Sequence, residues 1–260
     1  MTIKLLIAFA VMFAALGGIY NYWQKKNSYY TIHIVFLSII IISCTVFILY
    51  YTNIVGSYAY KRLYSDELIF SNSRGFAMGQ YLAKKFPGGK ALVIAGEDYK
   101  KNKVEMGLIE ELEKGFGPKV KLIAVESLDI IQKYLPPEQV KPINEIMKAI
   151  DFDIVIGRHP DCNIIVSLIG LPSDAKYMKI WQEEENKRPK VAILDGYLFM
   201  LGGAIKVGYV CAVTAQKNGS ITDAPPPSNP EKAFNMRYIL VTPENIDDMA
   251  KKYKKLFLLE

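Results

Sequence analysis

Residues 91–125 read ALVIAGEDYKKNKVEMGLIEELEKGFGPKVKLIAV. Ala91–Ala95 is a short continuous apolar run, with Pro87-Gly88-Gly89 before it and Gly96-Glu97-Asp98 after it. A run of this length without alternation is the pattern of a strand buried on both faces. Val104–Phe116 then sets Met106, Ile109, Leu112 and Phe116 at helical spacing and stops at Gly117-Pro118. Val120–Val125 is a second apolar strand. Strand, helix and strand in succession predict a parallel sheet with right-handed crossovers.

The pattern continues downstream. Leu128–Ile150 is irregular and broken by Pro136, Pro137 and Pro142. Asp151 suits the cap of a short helix running to His159, in preference to a strand at Phe152–Ile156. Asn163–Ile169, Lys190–Leu194, Tyr209–Thr214 and Tyr238–Val241 read as further strands. Helices are expected from Ser173 through Trp181, over Tyr197–Val207 and over Glu244–Phe257, the last with Pro243 at its first turn. Lys217–Pro230, with its Pro225-Pro226-Pro227 run, reads as a long loop. The fold class is therefore α/β: an open, mostly parallel sheet of about six strands with helices on both faces.

Upstream the character changes. Leu5–Trp23 and Ile32–Val55 are almost wholly apolar. Each reaches the roughly 20 residues that a helix needs to cross a bilayer core. Tyr20, Tyr22 and Trp23 close the first run, Tyr29 and Tyr30 open the second, and Tyr50, Tyr51, Tyr58 and Tyr60 flank its end, as interfacial girdles do. The N-terminus therefore reads as a two-helix transmembrane hairpin. A cleaved signal peptide is the alternative for the first run, but its apolar stretch is long and Trp23-Gln24-Lys25-Lys26 looks like an anchor flank. The organisation expected is a hairpin over 1–55, a juxtamembrane connector and packing helix over 56–89, with a helix start at Ser71-Asn72-Ser73, and a Rossmann-like domain over 90–260. The N-terminal amine, Lys4, Lys61, Arg62 and Arg74 on one side against Lys25 and Lys26 on the other favour a cytoplasmic domain; the alternative, an extracytoplasmic domain, rests on the compact Lys25-Lys26 turn staying inside.

Composition narrows the function. The formal charge of +6 comes from 32 basic and 26 acidic residues spread along the chain, with no Arg-rich arm, which argues against a nucleic-acid partner. Cys44, Cys162 and Cys211 show no zinc-knuckle or redox spacing, and the last two read as buried thiols. The sequence has no Walker A motif, no G-x-G-x-x-G after a strand and no G-x-S-x-G elbow. With His33 at the edge of the second apolar run, His159 is the sole histidine of the domain, so a two-His metal site there is excluded. His159 itself reads as a solvent-facing helix-end residue.

Ligands of open α/β sheets bind beyond the carboxyl ends of the strands. That rule selects Glu97, Asp98 and Tyr99, then Glu126 and Ser127, then Gly170 and Leu171, then Asp195 and Gly196, then Gln216, and finally Thr242, Glu244 and Asn245. The carboxylates among them suit an amine, a sugar hydroxyl or a hard cation such as Mg²⁺. Their structural alternatives are a helix cap at Glu244, a turn at Asp195-Gly196 and a solvated loop at Glu97-Asp98.

From Lys90 onward the succession ALVIAG, VKLIAVES, NIIVSLIGLP, KVAILDG and GYVCAVTA resembles one lobe of the type I periplasmic-binding-protein fold. The resemblance implies a Rossmann-like lobe and a ligand-binding role, in a family that closes two lobes on its ligand. This chain has length for one lobe, and no binding residue is carried over. The function expected is a membrane-anchored binding or scaffold domain with the lipid bilayer as partner and a small-molecule ligand. The alternatives are a subunit of a larger complex with membrane protein partners, and a metal- or carboxylate-dependent enzyme working at the strand edge. No cofactor is identified.

Overall fold

The computed structural model describes residues 3–24, 31–51, 58–128, 130, 143–221 and 224–258. The expected turn at 25–30 and the proline-broken stretch at 131–142 lie outside the described residues. The chain divides into two compact units, Met1–Ser65 and Asp66–Glu260.

In the first unit, α1 (Ile3–Gln24) and α2 (Thr31–Tyr51) are long and apolar enough to cross a membrane. They pack antiparallel. Thr45 Oγ1 lies 3.9 Å from Met12 Sδ, and the rings of Tyr22 and His33 meet edge-on at 5.4 Å. The hydroxyls of Ser38 and Thr45 donate to Ile34 O and Ile41 O, each at 2.8 Å, so these polar side chains are satisfied within their own helix. The outward surface carries Ile7, Phe13, Ile32, Phe36 and Ile42, the composition that lipid tails accept.

The chain continues through α3 (Tyr58–Lys85), β1 (Gly89–Ala95), α4 (Lys103–Phe116), β2 (Val120–Ser127), α5 (Ile143–Ile146), α6 (Ala149–Gly157), β3 (Ile164–Ser167), β4 (Lys190–Ile193), α7 (Leu198–Lys206), β5 (Val210–Gln216), α8 (Pro230–Arg237), β6 (Tyr238–Val241) and α9 (Ile246–Lys252). The strands form one six-stranded sheet in the order β2-β1-β3-β4-β5-β6. All neighbours are parallel except β5 and β6.

Alternate strand residues feed two cores. Leu92, Ile94, Ile165 and Ile193 face Phe152 and Val155 of α6, Leu198 and Ile205 of α7, and Ile246 of α9. Ala91, Val93, Val166 and Ala192 face Met78 and Leu82 of α3 and Leu108, Leu112 and Phe116 of α4. Helices thus cover both faces, which is why β1 reads as an unbroken apolar run. The α4 start is fixed by Asn102, whose Oδ1 accepts from Val104 N at 3.0 Å, the usual N-cap bond.

Five expectations are corrected. α3 begins at Tyr58 and runs straight through Ser71-Asn72-Ser73. Those residues do not cap: Ser73 Oγ donates back to Phe70 O at 2.5 Å, and Ser71 Oγ accepts from Arg74 Nη2 at 2.8 Å. The stretch expected to be a helix through Trp181 is two 3₁₀ turns, Ala175–Tyr177 and Lys179–Gln182. Asp174 and Asp153 hold this segment to α6, accepting from Ala149 N at 2.8 Å and Lys179 N at 2.9 Å. The expected loop Lys217–Pro230 stops one residue early, because Pro230 already opens α8, which lies between the loop and β6. Asn229 caps α8 by accepting from Lys232 N at 3.0 Å, and Pro230 takes its first turn. α9 ends at Lys252, with a 3₁₀ turn at Lys254–Leu256 after it. Finally, His159 is not a free helix-end residue: its Nε2 lies 3.1 Å from Glu126 Oε1.

Candidate functional site

The exits of β3 and β4 contribute to a recess in the α/β unit. After β3 the chain bends at once. Ser167 Oγ donates to Gly170 O at 2.5 Å, and Gly170 takes φ +80°, a conformation that glycine adopts without the cost of a Cβ. Leu171, Pro172 and Ser173 then lead into the 3₁₀ segment. After β4, Arg74 Nη1 and Thr214 Oγ1 donate to Leu194 O at 3.1 and 2.7 Å, which fixes the turn at Asp195-Gly196. A Cβ at Gly196 would stand 2.6 Å from Leu201 Cδ1, so glycine there lets α7 close on the strand exit.

Between α7 and the 3₁₀ segment lies a cavity of about 580 Å³, within the roughly 300–1,000 Å³ of small-molecule sites. Met200, Leu201 and Ala204 of α7 line it, as do Ile169, Leu171, Pro172 and Trp181, together with Met147, Tyr209 and Val210. Trp181 is held rigidly. Its Nε1 donates to Ala175 O at 2.6 Å, and its ring meets Tyr209 edge-on at 5.3 Å. The Arg188 guanidinium covers Tyr209 at 4.6 Å and donates to Trp181 O at 3.1 Å. The polar side chains on the lining include Ser173, Lys176, Asp195 and the tyrosines Tyr197 and Tyr209. An apolar wall with a few polar groups takes an amphipathic molecule, its apolar body against Trp181 and the methionines.

Asp195, Gly196 and Tyr197 also line a second cavity of about 420 Å³, together with Gln216, Asn218 and Lys255. The Asp195 carboxylate is 3.5 Å from Arg74 Nη1.

Of the residues selected by the strand-end rule, Gly170, Leu171, Asp195 and Gly196 line the first cavity, and Gln216 the second. The others are elsewhere. Glu97 and Asp98 sit on an exposed turn, with Asp98 3.0 Å from Lys101 Nζ. Tyr99 Oη donates to Val125 O at 3.2 Å, binding the β1 exit to β2, where Ser127 pairs with Ala95. Glu126 faces His159, with Arg158 3.9 Å away. Glu244 and Asn245 are displaced furthest. β6 runs antiparallel, Val241 pairing with Val213 and Tyr238 with Gln216, so residues after Val241 lie toward the beginning of β5. The cause is the return segment: Lys217 N donates to Arg237 O at 2.8 Å, closing the excursion at the edge where it opened. Asn245 is spent on its own turn, accepting from Thr242 N at 2.8 Å and donating to Leu240 O at 2.9 Å. The strand-edge carboxylates therefore do not share one cavity, and among the described residues no group of three or more His, Cys, Asp and Glu could hold a metal.

Sequence reasoning missed Trp181, Tyr209 and Arg74 as site residues. Trp181 carried no spacing signal, because a 3₁₀ segment has neither helical nor strand periodicity, and Tyr209 precedes β5 at the end opposite the strand exits. Arg74 reaches the β4 exit from a helix more than a hundred residues earlier in the chain.

No protein-family model and no curated protein matches this sequence. Among solved structures, the chain is similar to an arabinose binding protein from Geobacillus stearothermophilus, at 18% identity over 68% of this chain and 62% of that one, with a TM-score of 0.42. It is similar to a periplasmic ribose ABC transporter structure from Conexibacter woesei, at 13% identity over 70% and 60%, with a TM-score of 0.48. A carbohydrate transporter solute binding protein from Agrobacterium radiobacter, in complex with D-arabinose, matches at 13% identity over 72% and 63%, with a TM-score of 0.44. The chain thus spans about three fifths of the length of these proteins.

Proposed function

We propose that this chain is a membrane-tethered binding protein whose α/β unit takes a small amphipathic molecule at the exits of β3 and β4. The observation that carries the reading is the 580 Å³ cavity with its rigid Trp181 wall, standing where open α/β sheets bind ligands. α1 and α2 are read as the tether. The excess of Lys4, Lys61 and Arg62 over Lys25 and Lys26 supports a cytoplasmic α/β unit.

The chain has two tryptophans, so Trp23→Phe leaves Trp181 as its sole indole reporter. That full-length variant, in lipid nanodiscs, is screened against a library of small amphipathic molecules. Saturable changes in Trp181 emission are expected, and Ala204→Leu, which fills the cavity from α7, is expected to abolish them. A library that leaves the emission unmoved, or hits that bind the Ala204→Leu variant equally well, would overturn the reading.

A second reading, a subunit of a larger membrane assembly, draws on the apolar exposure around α7, where Tyr197 and Met200, which also line the first cavity, and Val207 are 68%, 63% and 67% exposed. Gentle extraction followed by mass measurement separates the two: a monomer with a ligand-responsive Trp181 supports the first, and a defined complex supports the second.

A further inference from the structure

The two cavities share a ridge. Asp195, Gly196 and Tyr197 line both, so a molecule in the first cavity that touches this segment borders the second space. The two sides differ in chemistry. The first is walled by apolar and aromatic groups. The second presents the amides of Gln216 and Asn218 and the ammonium of Lys255.

The charges there are unequal. The Asp195 carboxylate already faces the Arg74 guanidinium at 3.5 Å. That guanidinium is itself anchored: it donates to Leu194 O at 3.1 Å and lies 5.2 Å from the Tyr238 ring centroid. Lys206, by contrast with Lys255, is taken by Asp247 at 2.9 Å. Among the described residues Lys255 has no ion-pair partner. Lys176, on the lining of the first cavity, adds a second ammonium, 4.9 Å from the Tyr177 ring centroid. With Asp195 offset by Arg74, Lys176 on one lining and Lys255 on the other leave a surplus of positive charge, and that surplus favours an anionic group over a cationic one.

We propose that the ligand is an anionic amphiphile. Its apolar body fills the cavity against Trp181, and its carboxylate or comparable acid group crosses the Asp195–Tyr197 ridge to Lys255. The inference rests on the binding reading above and adds the charge class of the ligand and the residue that reads it. Lys255 is a specificity residue, reached from the 3₁₀ turn that follows α9. No element of the strand-end rule would select it.

The test uses three molecules with one apolar body: 4-phenylbutyrate, its neutral amide and 4-phenylbutylamine. Each is titrated into the full-length Trp23→Phe chain in nanodiscs of uncharged lipid, with Trp181 emission as the readout. The acid is expected to bind about tenfold more tightly than the amide, the scale of one charge-assisted hydrogen bond, and the amine most weakly. Lys255→Gln is expected to bring the acid to the affinity of the amide while leaving the amide unchanged. Lys255 is exposed, so its removal does not threaten the core, and an unaltered melting temperature verifies this. Equal binding of acid and amide, tighter binding of the amine, or a preference that survives Lys255→Gln would each overturn the inference and leave the binding reading standing. If none of the three binds while the wider library yields a ligand, the inference falls alone. If the library is also silent, both fall.

Discussion

Glu244 is a residue whose surroundings change its chemistry. The Lys85 ammonium, 2.6 Å from its Oε1, and the Thr242 hydroxyl hold its carboxyl at about 2 instead of 4.5. The sign follows from the direction. A carboxyl whose pKa is depressed on folding stabilises the fold above its unfolded value, and the contribution is lost as pH falls through the window from 4.5 to about 2. Both partners are about half exposed, so water screens the pair and its worth stays at about 1 kcal/mol or less. Lowering the pH from 5 to 3 should therefore cost the native chain slightly more stability than it costs Glu244→Gln, read as the difference in melting temperature at the two pH values. Identical pH dependence in the two proteins would show that the pair contributes nothing. Asp195 and Glu244 also show what a single residue's sequence context reveals. Both follow an apolar strand and a turn. Asp195 follows a strand parallel to its neighbours and lands on the cavity; Glu244 follows one that runs backward and lands at the other edge. Strand direction is decided by whether the intervening chain crosses the sheet, and no local pattern records that.

At the scale of elements, the contact between α3 and α4 is built from glycine. A Cβ at Gly75 would overlap Leu108 O, one at Gly79 would overlap Leu112 O, and one at Gly115 would overlap Phe76 O. The two helices therefore touch backbone to backbone. Gly75 and Gly79 are one turn apart on a single face of α3, and that face accepts a glycine cost of roughly 1 kcal/mol per residue for the close approach. Gly79→Ala regains that propensity but forces the helices apart. A net loss of about 1–3 kcal/mol is expected, the scale of core overpacking, seen as a melting temperature lowered by several degrees. A variant as stable as the native chain would mean that the helices separate freely. The glycines stand in the sequence, but their reason does not, because it depends on which helix crosses which. What was legible was the strand set and the long helices, where β1 and α4 carry strong periodic or apolar signals. α8 was not legible: PEKAFNMR has a cap and a proline but little apolar pattern. It is held by tertiary contacts instead, above all the Arg237 guanidinium, 3% exposed, gripped by Glu67 at 2.6 Å and lying 3.6 Å over Phe70.

At the scale of the whole molecule, two apolar helices precede a unit with its own closed core, and the two parts obey different solvents. The outer surface of α1 and α2 carries the large apolar side chains that the α/β unit keeps between its helices and its sheet. If both helices span, the turn between them and the α/β unit must lie on opposite sides of the bilayer. Cysteine labelling reads this directly. Cys162 and Cys211 are buried, and burial lifts the Cys211 thiol to about 12, so neither is expected to react with a membrane-impermeant maleimide in the folded chain. Cys44, within α2, is replaced by alanine. In that background Asn27→Cys places a thiol between the spans, and Lys101→Cys places one on an exposed turn of the α/β unit. In intact bacterial cells expressing the chain, the reagent is expected to reach Asn27→Cys from outside and Lys101→Cys only after permeabilisation, in line with the basic residues flanking the helices. The reverse pattern would keep both spans and invert the orientation. Labelling of both sites from one side would sink the two-span reading, because a hairpin that crosses twice cannot present its turn and its following domain to the same compartment.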